Sequence, residues 1–234
     1  MFGTITLLII LIIILIIYFI TNKSKHKNEK ELIDVISSKL NPNKITLVGK
    51  KKYKGFIMNN DFSIKPSNNV KSSILIPEKL KKSITSLCSH PISPEEYVFL
   101  FDSEKKIVYT YDFIKDKIIK VEPISVYTKE PNVNVSAATT CPIFNRPSLL
   151  IFDEISGYYY IYVFAYNDVI EKGTTRLRWP NIPNTCKIGA ADYIDQNTYA
   201  DINLPLLLIN EDFDKYLVIS LENGDILNSG KFEI

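Results

Sequence analysis

The sequence predicts an all-β body made of four repeated units, a β-propeller, carried on an N-terminal membrane segment. Three observations lead to it. Residues 2–20 form an uncharged apolar run. From Ile45 onward the chain changes to short apolar runs broken by turn residues, the pattern of strands. Those runs then recur at a spacing of about fifty residues, which marks a repeat architecture.

The first run, FGTITLLIILIIILIIYFI, reaches roughly 28 Å as a helix, close to the hydrocarbon thickness of a bilayer. Only the α-amine precedes it, and no small-residue cleavage site follows, so residues 1–20 are expected to be an uncleaved transmembrane anchor. Lys23, Lys25, Lys27 and Lys30 crowd its C-terminal flank, which places the body on the cytoplasmic side, or the nucleoplasmic side in a nuclear membrane. The opposite orientation would open Asn22-Lys23-Ser24 and Asn134-Val135-Ser136 to glycosylation. Residues 21–44 read as a juxtamembrane linker and a short amphipathic helix. Leu32, Ile33, Val35, Ile36 and Leu40 share one helical stripe of Glu31–Leu40, and Asn41-Pro42-Asn43 stops it.

The body, residues 45–234, divides into units at about 45–83, 84–134, 135–187 and 188–234. The last three open on ITSLCS, VSAATTC and IGAADY, small-residue strands beginning at Ile84, Val135 and Ile188. Each continues to an apolar strand ending in Asp102, Asp153 or Asn210, with Tyr109, Tyr160 and Leu217 lying seven residues further on. The first unit is a degenerate copy with Asn59 at the equivalent turn. Radial repetition leaves short, protected sheet edges.

Before the fourth unit stands WPNIPNTCKIGAA, and LLIFDEISGYYYIYV supplies the strand pair of the third. These stretches resemble the hemopexin-like repeat, which opens on an I-D-A-A-F-like strand and closes on a W-P-G-I-P-like turn. The resemblance implies a four-bladed hemopexin-like propeller over about residues 45–234. On that reading Trp179 covers the end of one blade, Pro180 and Pro183 turn the chain inward, and Ala190 and Ala191 begin an innermost strand with room only for small side chains. The family's opening-strand aspartate is replaced by Thr85, Ser136 and Gly189, so the resemblance leaves open whether the ion of its central channel is bound. The disulfide closing the family's first blade to its last has no counterpart either, since residues 45–80 hold no cysteine. Residues 2–30 resemble the membrane-sorting segment of envelope proteins of occlusion-derived virions of insect large DNA viruses.

The chemistry of enzymes is scarce. No HExxH, Gly-x-Ser-x-Gly, phosphate loop or dinucleotide fingerprint occurs, and the only histidines are His26 and His90. The expectation is a chain with no catalytic, metal or cofactor residues. Three cysteines are compatible with three reduced thiols or with one disulfide, for which Cys141 and Cys186 are the candidate pair. Glu95-Glu96, Asp153-Glu154 and Glu211-Asp212-Asp214 read as turn residues. Tyr158, Tyr160, Tyr162, Phe164 and Tyr166 alternate along one strand face and are either core or a binding surface. A net charge of +2, with no stacking pattern around Lys50-Lys51-Lys52, argues against nucleic acid. The function expected is a membrane-anchored, non-enzymatic binding or assembly module, with the membrane and other envelope proteins as partners. The alternatives are a tethered hydrolase using acidic loop residues and a cellular adhesion or scaffold protein.

Overall fold

Four antiparallel four-stranded sheets, each a simple meander, account for all sixteen strands found among the described residues. The computed structural model describes residues 32–38, 41, 43–50, 52–71, 74–143, 146–183, 187–194 and 204–232. The anchor expected at residues 1–20 lies outside them. Among the described residues no helix is long and apolar enough to cross a membrane.

The first sheet runs β1 (Leu32–Ser37), β2 (Lys44–Gly49), β3 (Tyr53–Met58) and β4 (Ile64–Pro66). The second is β5 (Ile84–Ser89), β6 (Tyr97–Asp102), β7 (Ile107–Asp112) and β8 (Lys117–Glu122). The third is β9 (Val135–Ile143), β10 (Arg146–Asp153), β11 (Tyr158–Val163) and β12 (Asp168–Thr174). The fourth is β13 (Ile188–Tyr193), β14 (Pro205–Asn210), β15 (Lys215–Ser220) and β16 (Ile226–Lys231). β1, β5, β9 and β13 lie side by side in that cyclic order, with β13 returning to β1, so the four sheets surround a common axis. Short helical turns join them: a 3₁₀ turn at Glu78–Leu80, α1 (Ser125–Lys129) and α2 (Thr175–Arg178).

Leu32–Ser37 corrects the expected helix at Glu31–Leu40: it is the innermost strand of the first sheet. The misleading period has a physical cause. A β-bulge between Leu32 and Asp34 inserts a residue, so Ile33 and Ile36, three apart, both enter the core against the second sheet. Val35 enters the core against the fourth. A strand buried on both faces with a shifted pleat thus mimics a helical stripe. The first unit therefore begins at Leu32, not Ile45. Asn59 follows β3 and is not equivalent to Asp102; Gly49, at the end of β2, is.

The bulge repeats at the same place in every inner strand, at Leu32/Asp34, Ile84/Ser86, Val135/Ala137 and Ile188/Ala190. The sevenfold spacing also has a structural meaning, because Leu100 pairs with Tyr109, Ile151 with Tyr160 and Leu208 with Leu217. The apolar core is not one mass but four wedges, one between each pair of neighbouring sheets. β14 shows how one strand serves two of them: Leu206 and Leu208 face the third sheet, Leu207 and Ile209 the first. Both faces of a blade are apolar for this reason.

Candidate binding cleft

The inner strands all run in one direction, so they define two ends of the ring. At the end where they finish, a cleft of about 300 Å³ is lined by His90, Pro91, Pro94, Thr140, Cys141, Pro142, Arg146, Pro147, Ser148 and Tyr193. Each inner strand but β1 contributes its last residues or the loop beyond. Four prolines make the walls stiff and leave few backbone donors. No carboxylate is among these residues.

His90 is half-buried, its ring against Tyr97 and Phe99. The amides of Ile92 and Ser93 both donate to its Nδ1 at 3.3 Å, which puts the proton of the neutral ring on Nε2. Burial pushes its pKa below the ordinary histidine value. Thr140 Oγ1 donates to the Ser89 carbonyl at 2.8 Å, tying the floor of the third sheet to the second. The Arg146 guanidinium is exposed and sits 4.8 Å from the centre of the Tyr166 ring. Among the described residues it pairs with no carboxylate. Ile92 is 82% exposed and Tyr166 55%, an apolar fringe to the opening.

The expected aromatic face divides. Tyr160 and Tyr162 are buried in the wedge between the second and third sheets, and Phe164 packs on its edge, stacked on Phe99. Tyr158 and Tyr166 alone are exposed, and only Tyr166 borders the cleft, through Arg146. Trp179 is fully buried between the third and fourth sheets, against Phe152 and Tyr159. Pro180 lies inside, and Pro183 directly after, the turn that closes with the Ile182 amide on the Trp179 carbonyl. Ala190 and Ala191 are fully buried on β13. Cys88 and Cys141 are buried, whereas Cys186, and with it the Cys141–Cys186 pairing, lies outside the described residues.

The residues that end β6, β10 and β14, of which only Asp153 belongs to an acidic cluster, build the turns that follow. Asp102 Oδ1 accepts the Lys105 amide, Asp153 Oδ1 those of Ile155 and Ser156, and Asn210 Oδ1 those of Asp214 and Lys215. Burial alone would raise the Asp102 carboxyl, but hydrogen bonds from the Lys105 amide and ammonium outweigh it and hold the pKa below the ordinary value. Asp153 and Glu154 do line a second cleft of about 290 Å³ at the opposite end, together with Arg176 and Lys187.

The axis itself was missed from sequence. Asp34 sits there fully buried, surrounded by N–H and O–H donors from all four inner strands. Such donors suit an anion and oppose a cation, so these residues do not fit the cation that a hemopexin-like channel would suggest. Among the described residues no three His, Cys, Asp or Glu side chains cluster as metal ligands.

A plant albumin from Cicer arietinum showing hemagglutination has a similar crystal structure. The TM-score is 0.58 at 15% identity, covering 87% of this chain and 91% of that one. The chain is a four-bladed β-propeller. At this identity the likeness extends to the fold and no further. A streptogramin B lyase matches with a TM-score of 0.39 and 9% identity, over 88% of this chain and 55% of its own, too low to carry an argument. No protein-family model matches the chain, and no curated protein matches it.

Proposed function

We propose that the chain is a membrane-anchored, non-enzymatic docking module that holds a partner protein in the proline-walled cleft. The observation that carries this reading is the lining. It is stiff, mostly apolar and free of carboxylates, with one exposed guanidinium at the mouth. That chemistry suits a protruding apolar side chain followed by an acidic group, the side chain entering between Pro94 and Tyr193 and the carboxylate meeting Arg146.

The setting proposed is the envelope of a large DNA virus of insects, supported by the Ile/Leu-rich composition of residues 2–20 and the lysines that follow. The hemopexin-like character of the repeat belongs to the same proposal; it is supported by the WPNIP turn and the four-sheet ring. A hydrolase would have to use Asp153 and Glu154 in the second cleft, where Asp153 already serves the turn amides. The experiment is immunodetection in purified virions together with crosslinking from a photoreactive residue at Pro147, exposed in the cleft, or at Ser156 in the opposite one. A virion protein captured from Pro147 and not from Ser156 supports the reading; capture from neither, or from Ser156 alone, overturns it.

A further inference from the structure

The repeated bulge has a consequence at the axis. Val35, Leu87, Ala138 and Ala191 occupy the same position in the four inner strands, each the second residue after the bulge begins to shift the register. Their four amides, one from each sheet, converge on a single group. Val35 and Ala191 donate to Asp34 Oδ1 at 2.9 and 3.0 Å, and Leu87 and Ala138 donate to Asp34 Oδ2 at 3.3 and 3.4 Å. The Ser86 hydroxyl adds a further bond to Oδ2. Ser86, Ala137 and Ala190 stand where the first sheet has Asp34, and none of them carries a charge.

We propose that the repeat builds an anion cradle on the axis and that Asp34 fills it as a tethered ligand, so that the ring closes without an ion from solution. A carboxylate offers about four lone-pair directions, and among the described residues five donors already take them, which leaves no coordination for a cation. The same carboxylate links the first sheet to the other three, the task that an axial ion or a covalent bridge would otherwise perform. Asp192 reinforces the join one step along the axis: its carboxylate accepts the Ser37 amide of the first sheet and, at 3.1 Å, the Thr139 hydroxyl of the third. Because the cradle is made of backbone, it survives removal of the Asp34 side chain and becomes a site for a small carboxylate such as formate.

The test uses the full-length chain, with ionic strength held by gluconate, an anion too large for the vacated space. The melting temperature of the wild type is expected to be the same with calcium and with chelator, and the same with and without formate. Asp34→Ala is expected to melt about 10 °C lower, since four buried amides lose their acceptor. Formate should recover roughly half of that loss, in proportion to the logarithm of its concentration. Asp34→Asn, which keeps the space filled, should be destabilised and not rescued. If Asp34→Ala does not fold in buffer, its refolding yield from urea with and without formate reads the same quantity. A wild type that loses stability on chelation, or an Asp34→Ala variant indifferent to formate, overturns the proposal.

Discussion

The Trp179 indole N–H donates to the Leu221 carbonyl oxygen at 3.1 Å, across the joint between the third and fourth blades. One residue thus fills the wedge and satisfies a buried backbone acceptor in the neighbouring sheet. Trp179→Ala should destabilise the propeller by about 3–5 kcal/mol through the cavity it leaves. Trp179→Phe keeps much of the volume but orphans that acceptor, and should cost roughly 1–3 kcal/mol. Urea unfolding followed by circular dichroism separates the two.

His90 gives the cleft an acid dependence. Its folded pKa lies below the ordinary value of 6.5, so below that pH the unfolded chain binds a proton that the folded one refuses. The stability linked to His90 is therefore full above about pH 6.5 and falls as pH drops from there toward the lowered folded value. Protonation at Nδ1 would also displace the Ile92 and Ser93 amides. Urea midpoints at about pH 7.5 and 5.5 should differ less in His90→Gln than in the wild type; an equal difference would remove His90 as the cause.

Gly189 lies in the bulge of β13, and the backbone leaves no room for a side chain there. A Cβ there would lie 2.8 Å from the Glu211 Cα and 2.9 Å from the Asn210 carbonyl oxygen. Gly189→Ala should cost about 1–3 kcal/mol, as overpacking against backbone does. Thermal unfolding measures it, and a neutral substitution would mean that β13 and the turn after β14 can separate freely.

In the last three blades the residue ending the second strand is tuned to its own turn. Asn210 accepts two amides through Oδ1 while its Nδ2 donates to Asp214 at 2.6 Å. Asn210→Asp, although it restores the acid found at Asp102 and Asp153, loses that donor and sets two carboxylates together. It should destabilise by about 1 kcal/mol, and more at low salt, by urea denaturation at two ionic strengths.

Much of the ring was legible because its repeat is written in registers: Ile84, Val135 and Ile188 open β5, β9 and β13. The first blade was not, because Leu32–Ser37 carries apolar residues on both faces and a bulge that shifts them into helical spacing. Asp34, the one polar residue inside that strand's apolar run, falls for the same reason on the polar side of the expected Glu31–Leu40 helix. The tyrosine row could not be assigned from alternation, since a blade between two wedges buries both faces: Tyr159 and Ile161 enter one, Tyr160 and Tyr162 the other. The cleft was hidden because His90, Thr140 and Tyr193 are some fifty residues apart and meet only once the sheets are set around the axis.

Native-state hydrogen exchange of the Val35, Leu87, Ala138 and Ala191 amides measures whether four sheets act as one ring tied at Asp34. All four are expected to exchange through a single opening, with one common free energy that moves together as denaturant is added. A Val35 amide that exchanges readily while the other three stay protected would show the first sheet to be a separate body, and the closed ring would not stand.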